Sequence, residues 1–191
     1  MHSSWKLKYA VLGLSLLWCF WEARQGVRNR RRDGGTERDR GSYLWIYVAI
    51  FAAISIAAMF SFSGIGAFDH SRRWALLGML VMGAGFGLRL WAMGTLARQF
   101  THRVTILEDH TLIRSGLYKV IRHPAYLGQL VLVLGIGLAL ANSVSVLATI
   151  LLPLVALAAR IRIEERALLE RFGEEYREYS RGTSRLVPWI W

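Results

Sequence analysis

The chain has 191 residues, 54% of them hydrophobic, and a formal net charge of +11. Its apolar residues come in blocks flanked by arginines, so the charge belongs to span ends facing anionic head groups, not to a nucleic-acid surface. A single cysteine, Cys19, excludes an intramolecular disulfide and any zinc site built from cysteines.

Blocks of about 18 or more uncharged residues read as membrane helices, since a helix rises ~1.5 Å per residue through a hydrocarbon core ~30 Å thick. Backbone groups in lipid find no water, which leaves the helix as the expected conformation. The expected fold is an all-α integral membrane protein with about five transmembrane helices plus a C-terminal cytoplasmic helix.

The first span is Trp5 to Trp21. Lys6 and Lys8 before an apolar core look like a signal peptide, but Trp18, Phe20 and Trp21 end the block without a small-x-small cleavage pattern, so it is read as retained. A charged loop is expected from Glu22 to Ser42, with Arg24, Arg28, Arg30, Arg31, Arg32, Arg38 and Arg40 beside Gly34-Gly35. Tyr43 to Phe62 is the second span, and Ser63 to Ser71 turn the chain into a third, Arg73 to Met93. Arg89 lies near the end of that span, where snorkelling to the interface accounts for a charge.

Residues 1–93 thus read as three N-terminal spans with a basic loop, 22–42, and residues 94–191 as a polar loop, a helical hairpin and a C-terminal helix, all in one integrated domain. Pro124 to Ala141 is the fourth span; Asn142-Ser143 turns tightly into the fifth, Val144 to about Ala159, which Pro153 can kink. Beyond it Ile163, Leu168 or Leu169, Phe172, Tyr176 and Tyr179 recur at helical spacing, with Gly173 as a break and Glu174-Glu175-Tyr176 as a restart. Orientation follows from the basic residues. Seven lie between residues 22 and 42, five between 94 and 122, and seven after 159, against Lys6, Lys8, Arg72 and Arg73 on the other side. This predicts the N-terminus outside and the C-terminus inside.

Two polar constellations then fall on the cytoplasmic side: a loop with Phe100, His102, His110, Gly116, Tyr118, Arg122 and His123, and a helix start with Arg162, Glu164 and Glu165. The antiparallel hairpin makes them neighbours. In Arg122-His123-Pro124 the proline suits a first helical turn. The helix N-terminus adds partial positive charge and free N–H groups to those of Arg122 and His123, which makes an anion site. The same residues also suit plain head-group anchors. Gly128, Gly135 and Gly137 suit close helix packing or a groove for a flat ligand. Glu164-Glu165 suits pairing along a solvated helix, or a carboxylate for a ligand's amine or hydroxyls. His102, His110 and His123 lack the spacing of a helical His-x-x-x-His pair, so no metal is expected.

The stretches His110 to Tyr118, Arg122-His123-Pro124-Ala125-Tyr126-Leu127-Gly128, Gly135-Ile136-Gly137, Arg162 to Leu168 and Phe172 to Tyr179, closed by Arg185 and Pro188, together resemble the isoprenylcysteine carboxyl methyltransferase family of integral membrane enzymes. They are also similar to the phospholipid N-methyltransferases. The resemblance implies methyl transfer from S-adenosylmethionine, leaving S-adenosylhomocysteine, to a lipophilic acceptor, most directly the carboxylate of an isoprenylcysteine-type substrate. His110, Gly116, Tyr118, His123, Pro124, Tyr126, Gly128, Gly135, Gly137, Glu164 and Glu165 match positions that the family uses around the cofactor. Arg122 matches the arginine placed to meet a substrate carboxylate, and Arg162 is a second candidate near the reacting groups.

The compact five-span plan looks like the prokaryotic branch, which implies a bacterial or archaeal cell membrane with the site on its cytoplasmic side. The partners implied are the bilayer and the lipophilic methyl acceptor, with no nucleic acid. Two other readings stay open. Membrane sterol and steroid reductases that use NADPH carry a similar stretch, usually with Asn before the tyrosine, where Ala125 stands here. A non-catalytic protein binding anionic lipid is the other; the paired carboxylates Glu164-Glu165 count against it.

Overall fold

The structure, a computed structural model, describes residues 2–30, 36–37, 42–97, 105–106 and 111–188. In chain order the elements are α1 (His2–Arg30), β1 (Thr36–Glu37), α2 (Ser42–Ser63), α3 (Ser71–Leu96), β2 (Thr105–Ile106), a 3-10 turn (Gly116–Lys119), α4 (Pro124–Ala139), α5 (Ser143–Phe172) and α6 (Glu174–Arg181). The fold is helical as expected; the two short strands pair antiparallel, Thr36 opposite Ile106, and tie the α1–α2 connection to the α3–α4 connection.

Among the described residues, three helices are long and apolar enough to cross a membrane: α2, α3 and α5. The two other expected spans differ in character. In α1, 29 residues long, Lys6, Lys8, Ser15 and Glu22 interrupt the apolar run. In α4 the composition is apolar, but 16 residues span ~24 Å against ~30 Å of hydrocarbon. Two further boundaries move. The expected loop from Glu22 starts later, because α1 continues to Arg30. The expected last span and the charged helix after it are one continuous rod, α5, which passes Pro153 and ends at Gly173 (φ 55°) before α6 resumes.

The core gathers Val11 and Trp18 of α1, Ile50 and Ala57 of α2, Leu132, Val133 and Ile136 of α4, and Leu157 of α5. Helix α4 lies at its centre and packs most closely on α3. Glycines explain that approach. A Cβ on Gly128 would sit 2.6 Å from the Arg89 amide nitrogen, one on Gly135 2.7 Å from Met82 Cα, and one on Gly85 2.7 Å from the Gly128 carbonyl. Gly78 meets the Ala139 backbone in the same way. The two helices therefore touch backbone to backbone, with glycines seven residues apart on each. Gly137 fits instead against Ser145 and Thr149 of α5. Of the two expectations for Gly128, Gly135 and Gly137, close helix packing or a ligand groove, these contacts are those of close packing.

At the end of the bundle away from residues 111–123, the α4–α5 turn locks onto the α2–α3 turn. Asn142 is fully buried. Its Nδ2 donates to the carbonyls of Ile65 (2.6 Å) and Phe60 (3.3 Å), and its Oδ1 accepts from the Ser145 amide. Lys8, near the start of α1, donates to the Ser61 carbonyl at this same end.

Adding a methyl group to the seam forces backbones apart. Gly135→Ala is expected to destabilise the protein by about 1–3 kcal/mol and to lower its thermal unfolding transition in detergent. Gly83→Ala, with open space around its Cβ, is the control and should leave the transition unchanged or raise it slightly, since alanine favours helix over glycine.

Candidate active site

The polar loop reaches α4 through a tight 3-10 turn that begins at Gly116 (φ 58°). Tyr118 is buried there; its hydroxyl donates to the Ala92 carbonyl of α3 (3.3 Å), and its own carbonyl accepts from Tyr179 of α6 (2.7 Å). Residues 120–123 then pass beside the C-terminal segment, Ile121 pairing with Ser184 in an isolated parallel bridge. The Ser184 amide donates to the Val120 carbonyl, and the amides of Arg122 and His123 donate to the carbonyls of Ser184 (2.8 Å) and Arg185 (3.1 Å). This strap is anchored by Leu186, which is fully buried.

Pro124 starts α4 in its first turn, as its missing N–H predicts. His123 is the residue before it and does not cap the helix with its side chain. Its ring is instead buried, stacked on Tyr126 at 5.7 Å between centroids and 17° between planes. Nε2 lies 3.5 Å from Glu165 Oε1 and Nδ1 3.9 Å from Glu164 Oε2. At 3.5 Å the Nε2 contact is an ion-pair distance without hydrogen-bond geometry, and Nε2 has no hydrogen-bond partner among the described residues.

The two carboxylates differ in surroundings. Glu165 Oε1 accepts from Arg122 Nε and Oε2 from Arg185 Nε, each at 2.9 Å. Burial pushes the Glu165 carboxyl up, but the close approach of His123, 3.5 Å away, and the charges of Arg122 and Arg185 outweigh it and hold the group down to about 2. Glu164 is more open, with 31% of its side chain exposed against 13% for Glu165. Its Oε2 accepts from Tyr126 Oη at 2.7 Å, and Tyr126 in turn accepts from Arg160 Nε at 3.3 Å. Tyr176 of α6 is buried beside the cluster and its hydroxyl has no hydrogen-bond partner among the described residues. Burial, helped by Glu165, pushes that phenol well above the ordinary tyrosine range, so it stays a neutral O–H donor.

The structure therefore brings together Arg122, His123, Pro124, Tyr126, Glu164 and Glu165, with Gly116 and Tyr118 forming the approach to them. His110, with Phe100 and His102, lies outside the described residues. Arg162 does not join the group. The inward face of α5 is set by Leu157, Arg160 and Ile161 and runs on to Glu164, whereas residue 162 is rotated about 200° from both 160 and 164 and is exposed. Arg122 has a second function beyond any acceptor: its Nη1 donates to the carbonyls of Ser180 (2.6 Å) and Thr183 (2.5 Å) and so pins the strap. Arg114 latches the incoming loop to α6 through Glu175 (2.9 Å).

Comparison with known proteins bears on this arrangement. The model of the isoprenylcysteine carboxyl methyltransferase (ICMT) family matches residues 76–170, a segment that contains the α3–α4 seam and the cluster on α4 and α5. Through this segment, about half of its length, the chain is similar to the ICMT family. A protein-S-isoprenylcysteine O-methyltransferase of Saccharomyces cerevisiae is 34% identical over 136 residues, which are 69% of this chain and 57% of that protein. Protein-S-isoprenylcysteine O-methyltransferase B of Arabidopsis thaliana is 35% identical over 115 residues, 59% of this chain and 58% of that protein. Among solved structures, the eukaryotic intramembrane Ras methyltransferase ICMT superposes with a TM-score of 0.64 at 27% identity, covering 75% of this chain and 52% of that one. The chain thus spans between half and three fifths of the length of these ICMT-family relatives.

Sequence reasoning missed Arg160, Ser180 and Thr183, and treated Arg185 only as part of the closing pattern. A buried arginine two residues before Arg162 carries no local signal; only the inward face of α5 distinguishes it. The strap contributes backbone carbonyls, which no side-chain pattern announces.

Since the folded-state pKa of Glu165 is depressed, its contribution to stability is complete above the unfolded value of 4.5 and is lost as pH falls towards 2. The unfolding temperature of the wild type should therefore exceed that of Glu165→Gln by a constant margin above pH 4.5 and converge on it below. Melting curves of both proteins in detergent across that range check this.

Proposed function

We propose that this chain is an integral membrane methyltransferase that moves the methyl group of S-adenosylmethionine to a lipid-like acceptor, most directly the carboxylate of an isoprenylcysteine-type substrate. The observation that carries the reading is a cluster in which the more open carboxylate, Glu164, lies beside the His123 ring and two buried polar atoms lack hydrogen-bond partners among the described residues: His123 Nε2, 3.5 Å from Glu165, and Tyr176 Oη. Buried polar groups are nearly always hydrogen-bonded, so such atoms in one cluster with an open carboxylate suit a zwitterionic ligand.

S-adenosylmethionine, when bound, supplies an electrophilic methyl group on a sulfonium. In this reading Glu164 takes the ligand's ammonium, while His123 and Tyr176 offer contacts to its polar atoms. Tyr126 and Arg160 hold the Glu164 carboxylate in place. Glu165 stays ionised and is committed to Arg122 and Arg185, so it shapes the pocket wall. Arg122 meets an acceptor carboxylate through Nη2, its Nε and Nη1 being engaged with Glu165 and the strap. A carboxylate is already a nucleophile, so the task of these residues is orientation and exclusion of water and not general-base catalysis. Arg162 has no part in this reading.

We further propose five crossings. Lys8 of α1 bonds to Ser61 at one end of the bundle, and Glu22 bonds to Arg89 at the other, which supports a crossing by α1. Helix α4 carries the chain from the site to the turn that packs on Ile65 and Gly66, which supports a crossing by α4 between the spanning helices α3 and α5. With the basic connections inside, the site faces the cytoplasm.

Calorimetry on purified protein should show micromolar binding of S-adenosylhomocysteine and none of NADPH; the reverse sinks the reading. Glu164→Gln should weaken that binding roughly ten-fold or more, as a hydrogen bond to a charged group contributes about 1.5–3 kcal/mol. Methyl transfer to a panel of prenyl-cysteines, fatty acids and amino-lipids identifies the acceptor, and activity confined to amino-lipids would replace the carboxylate assignment.

A further inference from the structure

The site described above makes no use of the most deeply buried ion pair among the described residues. Arg89 of α3 is 3% exposed and Glu22 of α1 is 1% exposed. The Arg89 guanidinium grips both Glu22 oxygens, Nε on Oε1 and Nη2 on Oε2 at 2.9 Å, in the bidentate geometry that suits arginine and carboxylate. Its third arm, Nη1, donates to the Ala125 carbonyl at 3.0 Å. Ala125 lies in the first turn of α4, between Pro124 and Tyr126. One side chain thus joins α1, α3 and the turn that carries His123 and Tyr126.

The expectation from sequence, an arginine snorkelling to the interface, is corrected by this burial. Snorkelling needs a path for the head group to water; here the guanidinium is enclosed and neutralised by Glu22. Stability alone does not require such a pair, because well-packed apolar side chains usually replace a buried ion pair without loss. What apolar side chains cannot supply is direction. The α3–α4 seam is a contact of backbones at glycines, without directional side-chain bonds at those positions, and no side-chain cap fixes the start of α4. Three directional bonds from a planar group do fix it.

We propose that Glu22 and Arg89 are positioning residues: they set the rotation and height of the first turn of α4, and so hold His123 and Tyr126 opposite Glu164 and Glu165. The proposal rests on the methyltransferase reading of that site. It also assigns α1 a direct role there, although Glu22 lies outside the segment that matches the family, residues 76–170.

The test separates positioning from stability. In the double variant Glu22→Leu with Arg89→Met no uncompensated charge is left, so the protein is expected to fold and to unfold at a temperature near that of the wild type. Calorimetry with S-adenosylhomocysteine should then give the wild-type stoichiometry with a dissociation constant raised roughly ten-fold or more, the scale expected when a hydrogen bond to a charged group, about 1.5–3 kcal/mol, is misaligned. A purely structural role predicts the opposite pattern, an unchanged dissociation constant with stoichiometry reduced in proportion to the folded fraction, and that result overturns the proposal. If the double variant does not fold, the milder Glu22→Gln carries the test through the imidazole nitrogen resonances of His123. They should shift relative to the wild type, and unshifted resonances overturn the proposal. Wild-type protein that fails to bind S-adenosylhomocysteine sinks the functional reading instead, and the His123 resonances still decide the positioning role.

Discussion

The direct contact of two helix backbones, α3 against α4, is the constraint on which the rest of the structure depends. Lipid offers helices no hydrophobic reason to associate, so they must gain from dispersion and polar contacts at short range. Gly78 and Gly85 on one side and Gly128 and Gly135 on the other make that range available. Two consequences follow. Helix α4 becomes enclosed by its neighbours, so the chain before it, from Gly116 to His123, is held against protein. And the Arg89 backbone comes so close to Gly128 that the Arg89 side chain reaches the Ala125 carbonyl, one turn down the same helix.

A second constraint is electrostatic. Charges near hydrocarbon must be paired, and this fold pairs them at one end of the bundle. Glu22 neutralises Arg89; Glu165 takes Arg122 and Arg185; Glu164 is tied through Tyr126 to Arg160. Two adjacent residues of one helix thereby acquire different characters. Glu165, turned towards Arg122 and the strap, is held by two arginines. Glu164, one residue earlier and about 100° around the helix, keeps an open carboxylate beside His123. The continuity of α5 matters here, because a rod of 30 residues, ~45 Å long, carries these carboxylates rigidly on the same helix that crosses the apolar layer.

Much of this was legible in the residues themselves, and particular cases show why. Pro124 after His123 marks a helix start by its missing N–H. Asn142-Ser143 marks a turn by capping chemistry, and Gly173 marks a break by its backbone freedom; the structure has all three. Glu164, Glu165 and His123 were expected together from the antiparallel hairpin alone, and they meet. Other cases fail for a common reason. Arg162 and Arg160 are the same residue type two positions apart, and only the identity of the neighbour facing α5 makes one buried and the other exposed. Gly128 and Gly135 are compatible with a ligand groove or a seam, and only the presence of Gly78 and Gly85 opposite decides for the seam. Arg89 looked like an interfacial anchor because its partner, Glu22, is remote in the chain.

By itself the sequence determined the helical class, the membrane setting, the concentration of positive charge at one end and the kinship to a methyltransferase family, since each depends on local composition, spacing or short motifs. Tertiary structure alone decided which carboxylate is engaged and which is open. It also decided that Arg122 clamps a C-terminal strap through backbone carbonyls, and that a glutamate on α1 reaches the start of α4 through Arg89. The physical reason is the same in each case: a long-range polar contact is a property of two surfaces, and neither surface carries a mark of the other until the helices are packed.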